Sequence, residues 1–534
     1  MPLRFEKGSG NAHDFPLTIG HLFDATLIHS PDQRIVQDDG HVMTYRDLRA
    51  RVGRLASALH RLGVDSGETV GVLAWDSYPY LEAYFAVPMM GAVIQTVNVR
   101  LSPEQIAFTI DHARARVLLV HADFVPLIDQ IRDRLPHVRA IIVIGQDAVP
   151  DWASGGYDHL LSLGDPDHRF DDFDENAIAS TFYTSGTTGL PKAVCFTHRQ
   201  IMLHALTMKA PLGAGAYPWI GAGRVYMPLT PMFHVHAWGF PYVATMLGVK
   251  QVYPGRYDAD RILDLRRREG VDFSHCVPTV LQMLAAAAQR RGERLDGWSL
   301  LIGGSALTRE LYGAATDLGA ELLTGYGMSE TGPVLTVSRP GTADDRIRTG
   351  VPAPLVSVRL VDDHMADRPA DDAAHGEIVA RAPWLTPCYV GDAEASDALW
   401  DGGWLHTRDV ATMAADGSLI VRDRLKDVIK SGGEWLCSLT LEAIAAQHPA
   451  IAEIAVVGMA DDKWGERPVA VVVAMPDAAA PPLAEVNALL GEAVAQGRIS
   501  RYALFDRILS VDALPRTSVG KIDKKRIRAE LTAE

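Results

Sequence analysis

The sequence predicts an α/β fold: a large N-terminal domain of layered α/β subdomains with a β-rich subdomain, then a small α+β C-terminal domain. Three observations carry that expectation. The chain has 534 residues, more than one hydrophobic core usually holds, so two or three domains are implied. Short β-rich runs alternate with helical stretches through the first half, the pattern of parallel strands joined by helices. The character then changes twice, to closely spaced strands after about Val356 and to a mixed pattern after Asp423.

In chain order, Met1 to Gly20 carries Arg4, Glu6, Lys7 and Asp14 and has no apolar core of signal-peptide length. Thr69–Trp75, Val117–His121 and Ala140–Gly145 read as strands, and Pro103–Ala113 and Val125–Leu135 as helices between them. Val225 to Val249 has no formal charge and is long enough to span a bilayer. However, Pro228, Pro231, Pro241, His234 and His236 would leave polar groups unpaired in lipid. A buried active-site segment is expected there, and no transmembrane helix. The α/β pattern resumes at Leu300–Ile302, Gly303-Gly304 and a helical Thr308–Leu318; Val356–Val361 and Glu377–Ala380 read as strands of the β-rich part. Beyond Asp423 come a helical Thr440–Gln447, strands Ile454–Val457 and Val469–Val473, an Ala/Pro-rich spacer (Ala478 to Pro482) and a helical Leu483–Ala495. The boundary is set in the charged cluster Asp423 to Asp427, giving domains 1–423 and 424–534 with a hinge near 424–427.

Composition narrows the function. The chain is 48% hydrophobic and 22% charged, as a globular protein is. Its charge sum, 51 − 66 = −15, argues against a nucleic-acid or anionic-membrane surface while leaving room for a local basic phosphate pocket. The four cysteines, Cys195, Cys276, Cys388 and Cys437, form no CxxC pair, which excludes a disulfide scaffold and suits a reducing cytoplasm.

The strongest local signal is Tyr183-Thr184-Ser185-Gly186-Thr187-Thr188-Gly189-Leu190-Pro191-Lys192. Glycines let backbone N–H groups approach phosphate oxygens, hydroxyls donate hydrogen bonds and the ammonium offsets charge. The run is not a Walker loop, because Pro191 stands where that loop needs a glycine before its lysine. A Ser/Thr/Gly surface turn is the bland alternative, but a turn does not need this density of donors beside a lysine.

With this loop the sequence resembles the adenylate-forming superfamily of acyl-CoA synthetases, non-ribosomal peptide adenylation domains and firefly luciferase. Its other signature segments follow in the family's order: Pro231 to Gly239 (PMFHVHAWG), Gly303 to Ala306 (GGSA), Gly325 to Thr331 (GYGMSET), Gly403 to Asp409 (GWLHTRD), Asp423 to Trp435 (DRLKDVIKSGGEW) and Pro515 to Lys521 (PRTSVGK). The match spans nearly the whole chain, and the MFHVxAW and KSGGEW versions are similar to the medium- and long-chain fatty acyl-CoA synthetases.

The resemblance implies the chemistry. AMP transfer from ATP turns a carboxylate oxygen into a leaving group, and CoA then displaces AMP, so ATP, Mg²⁺, coenzyme A and a small carboxylic acid are the expected ligands. Lys521 is implied as the cation at the carboxylate and α-phosphate; Lys524, Lys525 and Arg526 after it are read as solvated. Glu330 and the Thr184 hydroxyl are implied as Mg²⁺ ligands. Nucleotide contacts are implied for Ser185, Gly186, Thr187, Thr188, Gly189 and Lys192, for Gly303, Gly304 and Ser305, and for Gly325, Tyr326, Gly327, Met328 and Ser329. Tyr326 lies on the adenine in this reading, with core packing as the alternative. Asp409 takes the ribose hydroxyls and Arg424 the ribose or a phosphate.

His234 becomes a catalytic wall of the acyl or carboxylate site, with Val235, Trp238 and Gly327 at the substrate. Trp238 is implied as a gate to the acyl tunnel, a core tryptophan being the alternative. A metal at His234 and His236 is disfavoured because no third ligand lies nearby in sequence. The C-terminal domain is expected to be mobile, pivoting at Lys426. Ser431, Gly432 and Gly433 are implied at the thiol tunnel, where missing side chains leave room, and Lys430 and Trp435 at the adenylate.

Three positions depart from the family pattern. Ala193 replaces a glycine at what reads as a loop edge, Arg408 replaces the glycine before Asp409, and Cys437 replaces a serine. Glycine at 408 is dispensable where φ is negative. The competing functions are an aryl or short branched acid ligase, adenylation for a carrier protein, and an inactive nucleotide-binding scaffold. A serine hydrolase is rejected because neither 303–307 nor 327–331 completes G-x-S-x-G. Related fatty acyl-CoA synthetases are often dimers, so the resemblance allows a homodimer without fixing it.

Overall fold

A computed structural model describes residues 4, 6, 8–145, 149–184, 190–213, 220–221, 223–476, 478–516 and 522–533. The chain forms two compact units. The first comprises Met1–Ile347, Ala353–Leu355 and Ala382–Asp397, and the second comprises Arg348–Pro352, Val356–Arg381 and Ala398–Glu534.

In the first unit, one sheet runs in the order Gly155–Gly156, Ala140–Ile144, Ala115–His121, Thr69–Leu73, Val93–Thr96, Ile178–Thr184, Lys192–Thr197. Every neighbouring pair is parallel except the last, where Lys192–Thr197 returns antiparallel. Thr69–Leu73 and Ala140–Ile144 are buried at every residue, because helices on the faces leave a parallel sheet no solvated side. The helices start where their sequences say. Thr44 and Asp47 form a reciprocal capping box on Tyr45–Arg61, and Ser102 with Gln105 does the same on Pro103–His112.

A second sheet of this unit places Glu321–Tyr326, Ser299–Ile302, Phe273–Cys276, Val225–Pro228, Lys250–Tyr253 and Arg34–Gln37 side by side and parallel. Both sheets bring signature segments to the carboxyl ends of their strands, where α/β folds bind ligands. Most of Val225 to Val249 is buried here, with strand Val225–Pro228 and helix Phe240–Met246 placing Phe240, Tyr242 and Val243 in the core. Among the described residues, no helix is long and apolar enough to cross a membrane.

The second unit holds an antiparallel sheet, Ser357–Val361, Gly376–Arg381, Leu405–Met413, Leu419–Arg424. It also holds a five-stranded sheet built on the long hairpin Ile451–Asp461 and Gly465–Ala474. Strand period sorts that hairpin's side chains. Ile454, Val456, Ala470 and Val472 pack with helices Ser438–Ala445 and Leu483–Ala495, while Ala455, Val457, Val469 and Val471 pack with Leu514 and Ile527 on the other face.

Candidate active site

In the first unit, Thr184 ends its strand directly opposite Lys192. Ser185, Gly186, Thr187, Thr188 and Gly189, which join the two, lie outside the described residues. Tyr183 is fixed by a 2.8 Å hydrogen bond between its hydroxyl and His112 Nδ1. The Lys192 ammonium lies 3.5 Å from Asp392 Oδ2 and 4.8 Å from the centre of the Tyr389 ring. The Tyr389 hydroxyl in turn donates to Glu330 Oε1 at 2.6 Å. Glu330 sits on the short 3₁₀ turn Ser329–Thr331 and is buried, and its carbonyl accepts the Thr386 N–H at 2.9 Å. One aromatic ring therefore joins the loop lysine to the buried carboxylate.

Neither Tyr389 nor Asp392 was visible from sequence. They sit in a loop-like Pro387–Asp392 run and reach the site only by pairing Val194 with Tyr389 across 195 residues of chain. Ala193 lies inside the strand Lys192–Thr197 rather than at a loop edge, and its carbonyl accepts Val390 N–H at 2.9 Å.

Gly325 and Tyr326 end the strand Glu321–Tyr326, with Gly327, Met328 and Ser329 just beyond it and Tyr326 half-buried. Gly303 follows the neighbouring strand Ser299–Ile302; Gly304 and Ser305 are exposed. A Cβ on Gly303 would lie 2.9 Å from the Trp238 ring and 2.8 Å from the Gly325 carbonyl, so only glycine lets these segments meet. Trp238 is buried and packs 5.1 Å from the His275 ring.

The Trp238 segment is a left-handed turn, with φ of 50° at Val235, 53° at His236, 47° at Ala237 and 57° at Trp238. Each such non-glycine residue costs ~1–2 kcal/mol. The surroundings hold the turn in place. Met232 N–H donates to Asp76 Oδ1 at 2.7 Å, Thr96 Oγ1 donates to the Phe233 carbonyl at 2.9 Å, and the Tyr84 hydroxyl donates to the Met232 carbonyl. Burial pushes the Asp76 carboxyl up to about 7, with the Met232 hydrogen bond opposing. The turn points the two histidines apart. His234 is exposed, whereas His236 is buried edge-on among Tyr84, Phe182 and Tyr242 and is held neutral by burial, its pKa lowered to about 3. Among the described residues, no group of three or more His, Cys, Asp or Glu is arranged to hold a metal.

In the second unit, Asp409 and Arg424 are cross-strand partners, with Nε 2.8 Å from Oδ1 and the carboxylate buried. Arg408 has φ +59°, so the negative φ under which glycine would be dispensable is not met, and glycine would relieve strain here. Its side chain compensates in part, with Nη2 3.1 Å from the Ala398 carbonyl and Nε 3.9 Å from the buried Glu377 carboxylate. Arg408→Gly should therefore raise stability by ~1 kcal/mol, read as a higher Tm. A lower Tm would mean that the side-chain contacts outweigh the strain.

The Lys426 carbonyl accepts Arg528 Nη2 at 2.9 Å while its side chain is exposed. Lys430 pairs with Asp363 at 2.6 Å and lies 5.0 Å over the Trp435 ring. Ser431 is buried, and Ser431 and Glu434 pair across Gly432 and Gly433, whose φ values are 61° and 80°. These glycines have a backbone reason beyond open space: a two-residue hairpin turn of the I′ kind, with positive φ at both positions, favours glycine at each. Gly433 and Trp435 line a cavity of ≈ 820 Å³ together with Arg368, Arg422 and Arg498.

Lys521 lies outside the described residues, between Arg516 and Ile522, which bridge to each other. Lys524 corrects the sequence reading. It is buried, with Nζ 2.7 Å from both Glu442 Oε1 and Ser438 Oγ, and Ser438 donates to Asp423 Oδ2 at 2.5 Å. The run after Lys521 is solvated only at Lys525 and Arg526.

The parallel sheets of the first unit end at Thr184, Ile302 and Tyr326, and α/β enzymes bind their ligands at such carboxyl ends. Residues 23–390 match the AMP-binding enzyme family and residues 440–521 its C-terminal domain, and the chain belongs to that family. It is 38% identical over 533 residues to a long-chain-fatty-acid–CoA ligase of Thermus thermophilus, covering 97% of this chain and 95% of the relative. A 3-methylmercaptopropionyl-CoA ligase of Ruegeria lacuscaerulensis is 36% identical, covering 96% of this chain and 97% of the relative. A medium-chain-fatty-acid–CoA ligase of Ectopseudomonas oleovorans is 34% identical, with 96% and 95% covered. The crystal structure of the anthranilate CoA ligase AuaEII with anthranoyl-AMP superposes with a TM-score of 0.82 at 25% identity, over 97% of this chain and 99% of that one.

Proposed function

We propose that the protein is an AMP-forming acyl-CoA ligase for medium- and long-chain fatty acids. It converts acid and ATP to acyl-AMP and pyrophosphate, then acyl-AMP and CoA to acyl-CoA and AMP. The observation that carries the reading is end-to-end similarity to fatty-acid–CoA ligases of both chain classes.

The roles follow from charge. Lys192 and the loop hydroxyls hold the β- and γ-phosphates, and Lys521 offsets the charge that builds on the α-phosphate as pyrophosphate departs. Asp409 accepts the ribose hydroxyls, with Arg424 beside it. Thr184 and the buried Glu330 offer the two hard oxygens a Mg²⁺ takes from protein when phosphates and water supply the rest. Bound there, the ion would neutralise phosphate charge. Tyr389 orients the Glu330 carboxylate and lies against Lys192. His234 and Trp238 wall the acyl side.

Residues 424–534 act as the mobile domain pivoting at Lys426. Pivoting withdraws Lys521 and presents the Ser431 to Gly433 turn to the pantetheine thiol. The same reading takes the enzyme to be cytoplasmic, on its cysteine content, and allows a homodimer on the resemblance alone.

A second reading, a short functionalised acid, is favoured by the methylmercaptopropionyl-CoA ligase similarity. A panel of fatty, aryl and short thioether acids, scored by CoA thioester formation, separates the two. The highest kcat/KM is expected on a medium- or long-chain acid, and preference for a short thioether or aryl acid would overturn the chain-length assignment. In the same panel Trp238→Ala should shift the acyl-length optimum while ATP KM stays near its original value. Because losing a buried tryptophan can cost ~3–5 kcal/mol, melting is measured alongside. A folded variant with an unchanged profile refutes the gate.

A further inference from the structure

We propose that Cys195 and Cys388 form a peroxide-sensitive dithiol site whose disulfide disables the nucleotide end of the active site. The register that bridges Val194 to Tyr389 and bonds Val390 N–H to the Ala193 carbonyl at 2.9 Å sets Cys195 opposite Cys388. Opposite Cα atoms of antiparallel strands lie ~4.5–5.5 Å apart, within the ~4.4–6.8 Å that a disulfide spans. Thr386 clamps the pair, its hydroxyl 3.0 Å from the carbonyl oxygens of both Cys195 and Cys388. Both thiols are free, Cys195 buried and Cys388 half-buried. Burial, and then the adjacent Cys388 thiol, raise the Cys195 pKa, so Cys388 is the thiol that meets oxidant first.

The chemistry balances with hydrogen peroxide as oxidant. The Cys388 thiol and H₂O₂ give a sulfenic acid and water. The Cys195 sulfur then displaces hydroxide from Cys388, which leaves as a second water with the Cys195 proton. Two electrons pass to peroxide, and a dithiol reductant returns them.

The site is coupled to catalysis through its neighbours. Cys388 precedes Tyr389, which bonds Glu330 at 2.6 Å, and Cys195 shares its short strand with Lys192. Drawing the two sulfurs into a covalent bond shifts both strands where they carry these groups. A shift of that kind should lower acid-dependent ATP–pyrophosphate exchange by roughly 10–100-fold.

The test treats the whole purified enzyme with hydrogen peroxide, blocks residual thiols and maps disulfide-linked peptides by mass spectrometry. ATP–pyrophosphate exchange is measured before oxidation, after it, and after dithiothreitol. A Cys195–Cys388 peptide, with reversible loss of exchange that Cys388→Ser abolishes, is the expected result. No such peptide, a peptide without loss of exchange, or equal loss in Cys388→Ser overturns the proposal. Peptide mapping on the unaltered enzyme stands whether or not a variant folds, and it is independent of which acid the enzyme uses.

Discussion

Lys521→Ala should lower acyl-adenylate formation roughly 10²–10³-fold, the loss seen when a group stabilising transition-state charge is removed. Attack of CoA on a supplied acyl-adenylate should stay near the original rate, because no pyrophosphate departs in that step. Replacing Gly433 with a bulky residue should do the reverse. Its φ of +80° and its place on the hairpin turn make any side chain there an obstruction or a strain. Lys426→Pro, which fixes φ at the proposed pivot, should favour adenylation over thioester formation. The two rates are measured separately, with ATP plus acid and with synthetic acyl-adenylate plus CoA. If a folded Lys521→Ala loses both rates equally, the two half-reactions do not use separate faces of the C-terminal domain.

Lys524→Met should destabilise the second unit by about 3–5 kcal/mol at neutral pH, because it strands the Glu442 carboxylate inside the fold. Burial already raises the Glu442 pKa above its ordinary value, with Lys524 opposing. Removing the ammonium lets the folded-state pKa rise further, so the folded form keeps a proton that the unfolded chain gives up near its ordinary pKa. Stability of the variant should therefore fall as pH rises above that value and recover on acidification. Adding Glu442→Gln to Lys524→Met should restore much of the loss, since the neutral amide removes the stranded charge and keeps an acceptor for the buried Val456 N–H, now 2.7 Å from Glu442 Oε1. Denaturant midpoints of the three proteins across pH check this. A single variant as stable as the parent would mean that Lys524 is solvated after all.

These two lysines show how far the sequence was legible. Periodicity located the strands Ala115–His121 and Ala140–Ile144 and the helix Leu483–Ala495 because each follows from local pattern. The motif residues Gly303 and Trp238 were named from separate segments, and they meet only in the fold. What stayed hidden is non-local. A Lys-Lys-Arg run looks solvated until Ser438 and Glu442 are brought to its first member. Tyr389 joins Lys192 to Glu330 through a strand pairing that no spacing announces. The positive φ at Arg408 and the left-handed turn at Val235–Trp238 are imposed by tertiary contacts, against what their residue types favour.

In the proposed mechanism the acid is activated as an adenylate before CoA is engaged. The most direct test of that order is ATP–pyrophosphate exchange with a fatty acid present and CoA withheld, followed by addition of CoA. Exchange should depend on the acid, and CoA should then release AMP and form acyl-CoA in equal amounts. Exchange that needs no acid, or thioester formed with ADP and phosphate instead of AMP and pyrophosphate, would contradict it.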